Sequence, residues 1–582
     1  GRATGFGERT QRSPNPAFLL LEKDRTVKRR LLLLTALLGV GLITASGLAL
    51  GSDWLRERRA ENRQTEVLGE RYNPLEHAVK TAGKAEHREA GIPAQCYTKT
   101  EGRSNPCWTC HTDTHFPNDM NDWTLQTEYA FSEQGVENHW QNLFLDTRVL
   151  ARTLSDGEVL AYVQADNYTA LAREMKRVEG FPGYVPDLDF NRGFDDAGFA
   201  LDGSNWRAFR YKPFPGTFWP TNGSTDDVLV RLPAAFRSKN GAPDRAVYQA
   251  NLALLEASVA SDPGRLDADV RHPTEPLDEQ ASGVDLNHDG RLERSVTEIV
   301  GIPDHFVGDA ATIRLRRGLF PKDTEFLHSV RYLDPERPEL IAKRMKELRY
   351  SRKLSNFEPS QILGIYADEH DERDAGKLPV FQGDAFSGMR NDFGWSLQGY
   401  IEDQFGRLRL QTDQEHLACM GCHTNLGVTI DGTFAFARKL PGDPGWAYQD
   451  LRGIPDVPQL GHGEPEFLTY LKRVGGGDEF RANTEIQERF FKDGRVDEAE
   501  VRRAAVGGDK DFAWLVTPSR ERALDINRAY MALVRTQRFD LGRDAPLAPV
   551  VDVLRRIEEE STGLEQSHAV YKDGRLHLAW QR

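Results

Sequence analysis

Sulfur is scarce in this chain of 582 residues, which has five cysteines and six methionines. Four of the five cysteines fall in two short motifs, so no pairs remain for a disulfide framework, and Cys96 has no intrachain partner left. Long apolar runs are nearly absent too. One stretch of about 20 uncharged residues, Leu31 to Leu50, has the length needed to cross a hydrocarbon core, and no second run approaches it. Positive charge is not in excess: the formal net charge is −14, which argues against nucleic acid as a partner.

What is present is a repeated pentapeptide, Cys107-Trp108-Thr109-Cys110-His111 and Cys419-Met420-Gly421-Cys422-His423. Two thiols a short turn apart, followed by an imidazole, are the sequence requirement for covalent haem attachment. The thiols add to the two vinyl groups of one porphyrin and the adjacent histidine ligates the iron. A shared zinc site fits poorly, because zinc ribbons bring their cysteine pairs within a few tens of residues and here roughly 300 separate them. A thioredoxin-like redox site needs a βαβ context that neither motif shows.

On these two pentapeptides the chain resembles the c-type cytochromes and is identified as a di-haem member of that group. The resemblance implies two covalently bound haem c groups held by Cys107, Cys110, Cys419 and Cys422, with His111 and His423 as proximal iron ligands. It also implies attachment outside the cytoplasm. The run from Leu31 to Leu50, entered through Lys28-Arg29-Arg30, supplies either a transmembrane anchor in the inner membrane or a cleaved export signal. Periplasmic placement follows from the same reading.

The expected organisation is a cytoplasmic tail over 1–30, the apolar segment 31–50 and a charged tether 51–85. A first haem region follows over 86–180, a middle region over 181–380 and a second haem region over 381–582. The fold class is mixed α+β, with helix-rich haem segments, antiparallel hairpins and long irregular loops after one N-terminal transmembrane helix. Ser155 with Glu158 reads as a capping box opening a helix that continues through Leu160, Val163, Leu171 and Met175. Trp395 to Gln411 reads as a hairpin, and Val428–Ile430 and Phe434–Phe436 alternate as strands do. Phe467 to Val474 and the segment after Thr517-Pro518 read as helices, and residues 570–576 as a hairpin on an Asp-Gly turn. The Gly-, Pro- and aromatic-rich stretch 181–240 reads as irregular loop packed on a core.

Distal iron ligands are open among Met120 and His139 for the first haem, and Met389, His462 and Met531 for the second. Asp285, Asn287 and Asp289 alternate before Gly290 in the manner of a calcium loop, although position 12 is Val296 rather than Glu. Two functions compete. The first is an electron carrier between redox proteins or a membrane donor and acceptor. The second is a di-haem oxidoreductase, acting as a peroxidase, an oxygenase or on sulfur compounds, with one open iron. No catalytic residue is assigned.

Overall fold

Alternating apolar and bonded polar residues build one eight-stranded antiparallel sheet at the centre of this computed structural model. Its strands are β1 Arg207–Phe209, β2 Thr225–Arg231, β3 Glu325–Leu333, β4 Ile341–Lys353, β5 Gln382–Asp384, β6 Gly388–Arg390, β7 Trp395–Glu402 and β8 Leu408–Leu410. They lie in the order β1-β2-β3-β4-β7-β6-β5, with β8 also paired to β7. The structure describes residues 72–98, 106–113, 121–126, 131–146, 153–375, 377–424, 426–475, 481–507, 510–557 and 570–580. Residues 71–582 form one compact unit that contains both pentapeptides. The segment 31–50 lies outside the described residues, and among those described no helix is long and apolar enough to cross a membrane.

Strand β7 is buried along its whole length. Its polar positions are therefore bonded. Gln398 Nε2 donates to the carbonyls of Ala385 and Phe386, both at 2.8 Å, and Glu402 accepts from Tyr162 Oη at 2.6 Å and from Arg344 at 3.0 Å. The hairpin expected over 395–411 is thus present as β7 and β8, but it is interior rather than half exposed.

Six helices matter for the site: α1 Asp156–Gln164, α2 Tyr168–Met175, α3 Arg245–Ala260, α4 Asp413–Met420, α5 Glu466–Val474 and α6 Arg520–Thr536. The capping box at α1 forms in both directions, Glu158 N to Ser155 Oγ at 3.3 Å and Ser155 N to Glu158 at 2.8 Å. The single helix read through Met175 is two, because Asp166 takes the Tyr168 N–H at 2.8 Å and starts a new N-terminus. Val159 and Val163 of α1 and Leu524, Tyr530 and Leu533 of α6 pack on Tyr332 and Ile401, covering one sheet face. Helix α5 ends at Gly475 with φ of 72°, where a left-handed turn favours glycine.

Two strand expectations are corrected. Residues 428–436 form a tight turn with one bridge, Ile430 to Thr433, because Asp431 and Gly432 both adopt positive φ and Asp431 is fixed by Lys353 at 2.6 Å. Residues 570–576 form no hairpin. Asp573 is spent on Arg473 at 2.7 and 2.8 Å, and Tyr571 N donates to Gln126 Oε1 at 2.7 Å, so the segment lies against the first pentapeptide. The aromatic stretch 181–240 contributes β1 and β2 as well as loop.

Candidate functional site

The two pentapeptides adopt the same turn. In the first, the N–H groups of Cys110 and His111 both donate to the Cys107 carbonyl, at 3.1 and 2.8 Å; in the second, those of Cys422 and His423 both donate to the Cys419 carbonyl, at 3.3 and 3.2 Å. The local routes differ. The first motif begins inside a turn of 3₁₀ helix, Pro106–Thr109, whereas the second begins in the last turn of α4, which Thr412 and Glu415 cap. Two unlike lead-ins converge on one backbone geometry.

Both histidines have one ring nitrogen occupied. Nδ1 of His111 lies 3.1 Å from Asp122 Oδ2, and Nδ1 of His423 lies 3.1 Å from the Gly432 carbonyl. A carboxylate or carbonyl partner makes Nδ1 the donor, which leaves Nε2 on the far side of each ring as the atom available to a ligand. Burial, reinforced by the Arg349 and His328 charges, pushes His423 down to about 4, which keeps it neutral and able to ligate. Asp122 also accepts from Thr112 N at 2.8 Å and from Gly427 N at 3.2 Å, bridging the loops that follow the two motifs.

All five cysteines line one cavity of about 560 Å³, together with His111 and His423. That volume is in the range of cofactor and ligand sites. Burial raises the Cys107 thiol to about 12 and the Cys422 thiol to about 11, so without a reaction partner both stay protonated. Cys96 is pushed well up by burial and by its neighbours Cys107 and Cys422, which places it beside both motifs.

The opposite wall is a sheet face. Val228, His328, Arg349 and Gly399 stand side by side on β2, β3, β4 and β7, and Phe326 pairs with Ser351 in the next row. Phe209, Phe214, Phe434 and Phe436 complete an apolar surface. His328 Nε2 lies 3.2 Å from Asp226 Oδ2. Nothing local in the sequence marks His328 or Arg349. Only strand pairing brings them to the motifs, and the period-2 alternation of β3 and β4 was the one signal available.

The sequence-derived ligand candidates lie elsewhere. Met120 falls outside the described residues. His139 is exposed and its Nε2 lies 3.0 Å from the Gln134 carbonyl. Met389 and Met531 are buried in core clusters, and His462 Nε2 lies 2.5 Å from the Asp573 carbonyl; none of these four lines the cavity. The calcium-like sequence forms a closed loop. Asp285, Asn287 and Asp289 spend their oxygens on N–H groups of their own loop at 2.8–3.2 Å, closing an Asx-type turn. Among the described residues no three His, Cys, Asp or Glu side chains group to hold a metal ion, so metal binding of that kind is withdrawn.

Comparison with known proteins places this site in an unexpected class. A lipoprotein family matches residues 80–506, and the chain belongs to that family. It is 31% identical over 551 aligned residues to an uncharacterized lipoprotein of Aquifex aeolicus (strain VF5), covering 83% of this chain and 92% of that one. No solved structure matches. The identification as a c-type cytochrome is therefore overturned: the resemblance was confined to ten residues, while the family match spans most of the fold. Haem, iron and electron transfer are accordingly not properties that the family carries to this chain. Lipoprotein membership goes with export and attachment at a membrane.

Proposed function

We propose that each pentapeptide holds one porphyrin through two thioethers and its histidine, and that the protein passes electrons between redox partners outside the cytoplasm. The observation that carries this reading is the matched pair of turns, with both motif histidines and all four motif thiols lining one cavity. The grouping of donors fits the cofactor. A porphyrin brings four nitrogens of its own and asks one imidazole of the protein, so no cluster of three protein ligands is needed. When bound, haem supplies one-electron chemistry at an iron whose potential its surroundings tune.

The chain's own residues do the rest. Asp122 and the Gly432 carbonyl fix the two rings in one tautomer, as outer partners of ligating histidines do. The phenylalanines around the cavity exclude water. The run Leu31 to Leu50 is the proposed means of attachment, since it has the length and apolar character to cross a hydrocarbon core.

A second reading, a redox enzyme with one iron face open, is favoured by one observation. No methionine lines the cavity among the described residues, and His328 is the single imidazole there outside the motifs. The experiment for the first reading is paired removal of thiols. Exported protein carrying Cys107→Ala and Cys110→Ala is expected to keep half of the covalently bound chromophore, and adding Cys419→Ala and Cys422→Ala should remove the remainder. Full colour in the fourfold variant contradicts the proposal.

A further inference from the structure

Strand β4 carries an irregularity at the cavity. Val330 pairs with Glu347 and Arg331 with Met345, so Lys346 is the extra residue of a β-bulge. Bulges re-aim side chains and occur beside functional sites. Here the bulge breaks the alternation that would send Lys346 to the helix-covered face alone, and both Lys346 and Glu347 line the cavity.

Lys346 is 3% exposed, yet no carboxylate lies within 4 Å of it among the described residues. Its Nζ donates to the Gly223 carbonyl at 2.7 Å and to Ser224 Oγ at 2.9 Å, and sits 4.1 Å from the centre of the Tyr530 ring. Its hydrogen-bond partners are neutral, and burial pushes the amine down to about 7 against the more distant pull of Asp544, Glu402 and Glu347. Tyr530, 3% exposed and also on the cavity wall, has a buried Oη with no hydrogen-bond partner. Arg543 Nε is likewise buried and unpartnered. Arg543 and Arg349 share a single carboxylate, Glu347, at 3.0 and 2.9 Å, which leaves one guanidinium charge uncompensated. Two unmet donors, Tyr530 Oη and Arg543 Nε, and a guanidinium in excess of its carboxylate thus border the same space as the Lys346 amine.

We propose that this end of the cavity binds a carboxylate or small oxyanion, held by Lys346, Tyr530 Oη and Arg543 with Arg349 behind them. An anion there accepts from each unmet donor and favours the charged form of the Lys346 amine, and charge-assisted bonds of this kind are the strong ones. Two sources share that chemistry: a propionate of a bound porphyrin, which rests on the function proposed above, or a free anion from solution, which does not.

The test uses the full chain as exported and purified, with sodium sulfate as probe in calorimetry, and Lys346→Met and Tyr530→Phe as variants. Melting temperatures establish that the variants fold, and Tyr530→Phe removes only a hydroxyl. A free-anion site predicts sulfate binding to the parent protein that weakens at least tenfold in both variants. A propionate site predicts no sulfate binding, but a shift of one midpoint potential in the same direction in both. Sulfate binding that neither variant changes, or no binding together with unshifted potentials, overturns the proposal. The intact mass of the same sample reads the porphyrins separately. A chain with no mass gain that binds sulfate through Lys346 retains the anion site while removing the proposed function.

Discussion

The Gly427 N–H donates to Asp122 Oδ2 at 3.2 Å, so the carboxylate that orients His111 also fastens the chain beyond the second pentapeptide. The two motifs, far apart in sequence, are registered against each other by one buried side chain. Replacing Asp122 by Ala strands the His111, Thr112 and Gly427 donors in the interior. The expected loss is on the order of 3 kcal/mol, each stranded donor contributing about 1–3 kcal/mol without strict additivity. Denaturant unfolding checks this, and an unchanged midpoint would show that the bridge is dispensable.

The second motif tolerates no side chain at Gly421. A Cβ there would lie 2.1 Å from the Gly91 carbonyl oxygen, although the backbone angle itself suits any residue. Gly91 N in turn donates to the Leu417 carbonyl at 3.0 Å, so the obstructing segment is tied to α4. Gly421→Ala is expected to lower stability by about 1–3 kcal/mol, as overpacking does. An Ala variant as stable as the parent would mean that this contact yields freely.

Acid should weaken the fold through buried carboxylates. Burial alone would raise Glu466, but Arg438 and Lys212 beside it hold it at about 2, and Glu415 is held at about 2 against burial by Arg409. Both lie below the ordinary carboxylate value, so their contribution is complete above about pH 4.5 and is lost as the pH falls through 2, at up to about 1.4 kcal/mol per pH unit for each group. Glu466→Gln should flatten the stability profile in that window. It should also destabilise the protein at neutral pH, because Arg438 and Lys212 then keep buried charge with less compensation. A parent profile flat from pH 5 to 3 contradicts this account.

Much of the local structure was legible in the sequence because local chemistry decides it. The Ser155–Glu158 box, the Gly475 stop and the helix after Pro518 each rest on contacts within a few residues. The pentapeptides were legible for the same reason, and their shared turn is internal to each. What was hidden depends on distant pairing. His328 and Arg349 reach the cavity only because β3 and β4 are adjacent, and the bulge at Lys346 is a property of two strands in register. The Asp-Gly turn misled for a related reason: Arg473, about 100 residues away, claims the Asp573 carboxylate. The family was hidden as well, since ten conspicuous residues pointed to one class while the family match runs through and far beyond them, over residues 80–506.

The account's central claim is that each pentapeptide carries one covalently held porphyrin, and intact mass of the exported chain under denaturing conditions tests it most directly. The expected result is a gain of two haems over the polypeptide, with colour that acid-acetone extraction leaves on the protein. A mass equal to the bare chain, or colour that leaves with the solvent, would contradict it.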